Sequence, residues 1–321
     1  MFEMQRRSKS EQDIADDLDR DVGGIKSALV RYPLPWHHKE RGPLYQAHHA
    51  YEQALLARKK PRAKQRLKNQ FIRDFVEKHL KLGWSPELVA GRLKKLHPEH
   101  KTNYDSIYEW IFLDRPDLKV YLLRAGKTKR GKPGARAYPK RQPAAPKKSI
   151  DSRPAVVNNR KRIGDKESDL IVSSKSDTCL LVLVDRKTCQ ARLKKIRNRQ
   201  AETVKAALVE LLIKVPKRFR HTLTQDNGSE HALHAELENV LGIDVYFCHP
   251  YSAWERGTVE NRNGLIRRTF PKGTDFNLIS DEEIQRVENI INSRPMVKFD
   301  FLTPDEFHNQ EEIRLLKKKA A

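Results

Sequence analysis

The sequence predicts a multidomain protein: an all-α N-terminal region with helix-turn-helix units, followed by an α/β domain on a mixed five-stranded sheet. Three observations carry that reading. The chain has 321 residues, enough for roughly two domains of ~100–200 residues each. Apolar residues recur at helical spacing up to a basic, proline-rich stretch ending at Ile150, and in short strand-like runs after it. Charge divides the same way. Residues 1–150 hold 34 Lys and Arg against 17 Asp and Glu, net +17, whereas residues 151–321 hold 30 against 25, net +5.

The elements follow in order. Ile14, Ala15 and Leu18 form one apolar face, and Ile25, Leu29 and Val30 form another. Gly23-Gly24 is expected to break the chain between them. Residues 1–35 thus read as a partial helix-turn-helix, and 36–69 as a helical connector with a helix through Tyr45–Arg58. In residues 70–125, Phe71, Ile72, Phe75, Val76 and Leu80 mark a helix. Ser85 is an N-cap with Pro86 at the first helical position, and Leu88, Val89 and Leu93 continue that second helix. Ser106 begins a third, with Ile107, Tyr108, Ile111 and Phe112, which completes a second helix-turn-helix-like DNA-binding module. From Leu118 to Ile150 there are eleven basic residues and no acidic one, interleaved with Pro133, Pro139, Pro143 and Pro146. Such a segment buries no core, so 126–155 reads as an extended basic linker.

Strands are expected at Asp169–Val172, Leu180–Asp185, Ala191–Ile196, Thr222–Thr224 and Asp244–Phe247. Helices are expected at Thr203–Val215, Glu230–Leu241, Glu255–Arg268 and Asp281–Asn292. Three strands followed by alternating helices and strands describe a mixed α/β sheet, here assigned to a domain over 156–309. Residues 310–321, with Lys317-Lys318-Lys319, read as a basic tail.

Composition excludes several classes. The longest aliphatic run, Leu180–Val184, is far short of the ~20 apolar residues a membrane span needs. No apolar stretch follows Arg6-Arg7, so no signal peptide is expected. Cys179, Cys189 and Cys248 are isolated, which argues against a disulfide scaffold or a cysteine zinc site and fits a reducing cytosol. His37-His38 and His48-His49 have no cysteine or carboxylate at zinc-site spacing, so zinc is not expected there. A net charge of +22 without a lipidation signal points to nucleic acid, because neutralised phosphates release counterions.

Three acids stand out by position: Asp169 on the first strand, Asp226 in the sharp turn Thr224-Gln225-Asp226-Asn227-Gly228, and Glu260 on a helix. Phosphoryl transfer with two divalent cations needs carboxylates converging on ions ~3.5–4 Å apart. Asp185, at the end of the second strand, is the rival first ligand. Arg256, Asn263 and Arg267 fall on the Glu260 face of the helix at spacings that suit phosphate contacts, and Trp254 before it suits stacking or packing.

These segments resemble the insertion-sequence thirty (IS-thirty) family of bacterial transposases. Ile163–Ile171 is similar to its first catalytic motif and Thr224–Glu230 to its second. Tyr246–Gly257, continuing to Phe270-Pro271-Lys272-Gly273-Thr274, is similar to its third. Asn292-Ser293-Arg294-Pro295 and Leu302-Thr303-Pro304-Asp305-Glu306 resemble its C-terminal elements. Trp84–Glu87, Ala90-Gly91-Arg92-Leu93 and Ser106-Ile107-Tyr108 resemble its second N-terminal module. The 33 residues between Asp226 and Glu260 match the family's acidic spacing. Lys166, Ser168 and Val259 depart from its usual residues, and the first helix-turn-helix lacks a leading helix. The resemblance implies an RNase H-like integrase core with a DDE site. Asp169, Asp226 and Glu260 would be catalytic metal ligands for two Mg²⁺ ions, with Mn²⁺ as the alternate ion. Glu167 and Asn227 would support them, and Trp254, Arg256, Asn263, Arg267 and Lys272 would contact DNA. Partners would be the element's terminal inverted repeats, target DNA and further copies of the chain on paired ends, in the cytoplasm and on the bacterial nucleoid. No membrane or small-molecule substrate is expected. The rival expectation is an inactive remnant that only binds DNA.

Overall fold

The computed structural model describes residues 9–31, 67–122, 146–250 and 252–320. The helix expected through Tyr45–Arg58, both histidine pairs and most of the 126–155 linker lie outside the described residues. The chain divides into two compact units, Met1–Gln65 and Arg66–Ala321.

In the first unit, helices α1 (Glu11–Asp17) and α2 (Val22–Arg31) enclose a small core of Ile14, Ala15 and Ile25. Ser10 and Asp13 form a reciprocal capping box at the start of α1. Gly23-Gly24 does not break the chain: both glycines lie in the first turn of α2. The turn falls earlier, with Asp19 at φ +50°, and the Asp21 carboxylate accepts the Gly24 N–H at 2.8 Å. A cap can start a helix on glycines because it satisfies an otherwise orphaned N–H.

The second unit begins with three helices, α3 (Gln70–Lys81), α4 (Pro86–Leu96) and α5 (Tyr104–Leu113), and a 3-10 turn at Pro116–Tyr121. Val76, Leu80, Val89, Leu93, Ile107 and Ile111 form their shared core. Helix α5 starts two residues before the expected Ser106, because Asn103 is the N-cap and accepts the Ser106 N–H at 2.7 Å. Leu118, at the start of the basic stretch, is 1% exposed and closes this core.

The sheet has six strands, not five. They are β1 (Lys148–Ser149), β2 (Asp165–Ile171), β3 (Cys179–Asp185), β4 (Ala191–Ile196), β5 (Thr222–Gln225) and β6 (Asp244–Phe247), ordered β1-β6-β5-β2-β3-β4. The extra strand is a two-residue edge at the end of the basic stretch, paired parallel to β6 and without apolar alternation to mark it. A short helix, α6 (Ala155–Asn158), follows it. β2, β3 and β4 are antiparallel, while β5 and β6 join β2 in parallel.

Alternation along β3 divides the core. Leu181 and Leu183 face α7 (Ala201–Ile213) and α8 (His234–Leu241), whereas Leu180, Val182 and Val184 face α9 (Gly257–Thr269) and α10 (Asp281–Asn292). The helices expected from Glu230 and Glu255 each open instead on a 3-10 turn, at Ser229–His231 and Ala253–Arg256. The last helix, α11 (Pro304–Ala320), runs through the expected tail boundary, anchored where buried Glu311 pairs with Lys187.

The three-helix module is clasped to this α/β layer. Arg92 donates to both Glu306 oxygens (2.5 and 2.9 Å) and to the Phe301 carbonyl (3.0 Å). Lys95 reaches Asp300, and Arg268 and Arg294 both donate to the Gly83 carbonyl.

Candidate active site

β2 and β5 are neighbouring parallel strands, and Glu167 stands opposite Thr224. Two residues further along that register Asp169 is level with Asp226, so the sheet itself brings these two acids side by side. Their meeting point is a cation from the same chain. Arg256 donates through Nη1 to Asp169 Oδ1 at 3.2 Å and through Nη2 to Asp226 Oδ2 at 3.0 Å. Its Nη1 also holds the Ser168 carbonyl at 2.7 Å. Arg256 is therefore 7% exposed and turned inward, not displayed on the helix surface as its sequence position suggested.

Glu260 stands in the first turn of α9, with Asn263 one turn later on the same face. Asn263 Nδ2 donates to Asp169 Oδ2 at 2.6 Å, while its Oδ1 is buried with no hydrogen-bond partner. Asn263 thus serves the carboxylate instead of facing outward.

The three carboxyls differ electrostatically. Burial pushes Asp169 above the usual carboxylate range, opposed by Arg256 and assisted by the charge of Asp226. Burial acts on Asp226 as well, but the His231 hydrogen bond, Arg256 and the Gly228 N–H outweigh it and hold that carboxyl well below the usual range. Partial desolvation raises Glu260, against Arg256 and with Asp169 and Glu167.

Beneath the acids lies a second layer. Glu167, fully buried on β2, pairs with buried Arg186 and accepts the Val259 N–H at 2.8 Å. That bond fixes the first turn of α9, and with it Glu260, to the strand carrying Asp169. A carboxylate at a helix N-terminus also complements the helix dipole. Asn227 donates to the Cys248 carbonyl at 2.6 Å and ties the Asp226 turn to the end of β6. Asp185 is a structural residue: its oxygens take the N–H groups of Gly164, Lys187 and Thr188, at 1% exposure.

Two participants escaped the sequence reading. Arg186 carries no signal beyond adjoining Asp185. His231, immediately after the Thr224–Glu230 motif, sits with Nε2 3.3 Å from Asp226 Oδ1.

Oxygen donors converging on one cation position, with the orphaned Asn263 Oδ1 beside them, suit hard divalent ions. The other residues expected to contact DNA are Trp254, Arg267 and Lys272. Trp254 is 75% exposed, so it does not pack. Arg267 donates only to the carbonyls of Val172 (2.8 Å) and Pro271 (3.3 Å), and Lys272 is exposed.

No protein-family model matches the chain. The chain is 37% identical over 272 residues to the transposase for insertion sequence element IS4351 of Bacteroides fragilis, covering 81% of each chain. It is 32% identical over 277 residues to the transposase InsI for IS30A of Escherichia coli (strain K12), covering 82% of this chain and 70% of that one. Among solved structures, the catalytic core domain of BIV integrase aligns with 48% of this chain and 98% of its own, at 18% identity and a TM-score of 0.39. With identity above 30% over more than two-thirds of both chains, the chain belongs to the IS30 family of insertion-sequence transposases.

Proposed function

We propose that this transposase is a DDE enzyme in which Asp169, Asp226 and Glu260 hold two divalent cations, Mg²⁺ first and Mn²⁺ as the alternate. DNA transposition is the activity of its family and of this chain. The observation that carries the site is the convergence of Asp169 and Asp226 on a single positive charge, now the Arg256 guanidinium. Bound there, the cations supply activation of an attacking oxygen and stabilisation of the leaving one in in-line phosphoryl transfer.

The chain's own residues set up that chemistry. Asp226 stays ionised because His231, Arg256 and Gly228 favour its charge. Asn263 orients Asp169, and Glu167 holds the turn that presents Glu260. Asp169 and Asp226, which here share Arg256, would hold the cations together with Glu260. Water attacks first and frees a 3′-OH at the element end, and that 3′-OH then attacks a target phosphodiester. Arg267, bonded only to carbonyls, keeps its full charge for a DNA phosphate beside Lys272, and Trp254 stacks on an unpaired base.

Two helical modules, residues 1–35 and 70–125, would bind terminal inverted repeats, with the basic segment 126–155 tracking the backbone and the core 156–309 taking target DNA. Copies of the chain would act together on paired ends at the bacterial nucleoid. Among the described residues no helix is long and apolar enough to cross a membrane. The inert-remnant alternative draws no support from the site, which retains all three acids and their buttress.

Asp226→Asn and Glu260→Gln preserve side-chain volume while removing a charge the cations require. Both variants are expected to lose end cleavage and strand transfer while still shifting end DNA in a gel. Cleavage by either variant at ordinary Mg²⁺ would overturn the assignment.

A further inference from the structure

The two oxygens of Asp226 face different surroundings. Oδ2 is turned to Arg256 and Asp169, whereas Oδ1 is turned to His231 and the Gly228 N–H. We infer that the Oδ1 side is a second kind of metal site, for a transition cation of the Zn²⁺ class, built from Asp226, Glu230 and His231.

One donor atom from each of these residues lies within 4.8 Å of the others. The His231 ring is 4% exposed, and its Nδ1 is buried with no hydrogen-bond partner among the described residues, so the ring's polar contact is with Asp226. Its Nε2 stands 3.3 Å from Asp226 Oδ1. That gap is that of a long hydrogen bond, beyond the ~2.7–2.9 Å typical of a charge-assisted one. It matches two ligands on one tetrahedral ion, where bonds of ~2.0–2.1 Å separate donors by about 3.3 Å.

Glu230 is drawn into the same turn. A Cβ on Gly228 would fall 2.4 Å from both Glu230 Cδ and Oε2, so the carboxylate lies directly over the Gly228 backbone. Imidazole with two carboxylates leaves a fourth position for water, and imidazole favours Zn²⁺, Co²⁺ and their neighbours over Mg²⁺. Such an ion would pin the Asp226 turn from behind while Oδ2 stays with the proposed DDE pair. The site shares Asp226 with that pair but uses neither Asp169 nor Glu260, which makes the two separable.

The test is Co²⁺ titration of the metal-stripped full chain, followed by visible absorption and displacement with Zn²⁺. The wild type should bind one more Zn²⁺-displaceable equivalent than His231→Phe, and Asp169→Asn one more than the Asp169→Asn/His231→Phe double variant; histidines elsewhere cancel in these differences. Glu230→Gln, a partly exposed position that the fold tolerates, should weaken that equivalent by ~10-fold or more. Equal stoichiometry in wild type and His231→Phe, or unchanged affinity in Glu230→Gln, would overturn the proposal. Loss of the signal in Asp169→Asn alone would also overturn it, by assigning the ion to the DDE pair.

Discussion

Gly91 tests whether the three-helix module is seated on the α/β layer. Alanine in place of an interior helical glycine ordinarily stabilises by ~1 kcal/mol. In α4 that methyl would lie 2.0 Å from Phe301 Cε1, 2.2 Å from Cζ and 2.4 Å from Cδ1, so the ring must leave. Phe301 packs against the module's core while half-buried, and withdrawing it forfeits about 1–2 kcal/mol, half to two-thirds of a fully buried apolar side chain. The turn cannot slide to follow the ring. Asp300 and Phe301 both have positive φ, at +49° and +59°, and their carbonyls are held by Lys95 and Arg92. Strain from forcing extra atoms into a packed site adds ~1–3 kcal/mol. Gly91→Ala should therefore destabilise the wild type by ~1–4 kcal/mol and stabilise Phe301→Ala by ~1 kcal/mol. Urea midpoints at constant m-value, in both backgrounds, read the sign directly. An equal gain in both would mean the ring does not rest on Gly91 and the reasoning fails.

Two further outcomes are expected. Arg267→Ala removes only exposed bonds to carbonyls, so it should cost under ~1 kcal/mol in urea unfolding while strand transfer falls at least tenfold; a collapse in stability without a separate catalytic defect would make Arg267 structural. His249 is held above its ordinary imidazole range by hydrogen bonds to Glu255 and Asp151, so this tie is fully present below the unfolded value near 6.5 and fades as pH rises through the higher folded value. A ring titration by NMR should show a raised midpoint that drops in Asp151→Asn combined with Glu255→Gln, and an unshifted wild-type midpoint would refute the tie.

The sheet was legible where strands alternate or run apolar, at β3, β4 and β6, and illegible where polar groups are buried in pairs. β2 begins at Asp165, four residues before its expected start, because Asp165, Lys166 and Glu167 are charged and offer no apolar alternation to mark a strand. Each is buried against a partner: Asp165 on Arg162 and Thr222, Lys166 near Asp185, Glu167 on Arg186. Hydrophobic periodicity cannot register burial that depends on a partner elsewhere in the chain. The same limit explains Arg256. Helical spacing assigns it a face, but only the meeting of β2 and β5 decides that two carboxylates wait on that face. The neighbourhood of Asp226 was readable from its turn, whereas the approach of His231 depends on the 3-10 turn at Ser229–His231.

The motifs farthest from the acids account for one another. Gly91-Arg92 and Leu302–Glu306 stand more than 200 residues apart and read separately, one as part of a DNA-binding module and the other as a C-terminal element. In the folded chain they form one joint: the glycine admits the Phe301 ring, and the arginine closes on Glu306 and the Phe301 carbonyl. The Glu306 side is partly open to water, which screens the pair. The buried guanidinium with a bidentate partner and a carbonyl acceptor still fixes orientation better than a single point charge could. Arg268 and Arg294 add a second joint at the Gly83 carbonyl, and Arg268 lies on α9, the helix that carries Glu260 and Asn263. A load on the helical module therefore reaches the helix carrying Glu260 through Arg268, at the Gly83 and Tyr121 carbonyls, while the Arg92 joint passes it to the Phe301–Glu306 segment. Residues spent on that coupling cannot also read DNA, so within this module the DNA-facing surface must be sought away from Gly83, Gly91, Arg92 and Lys95.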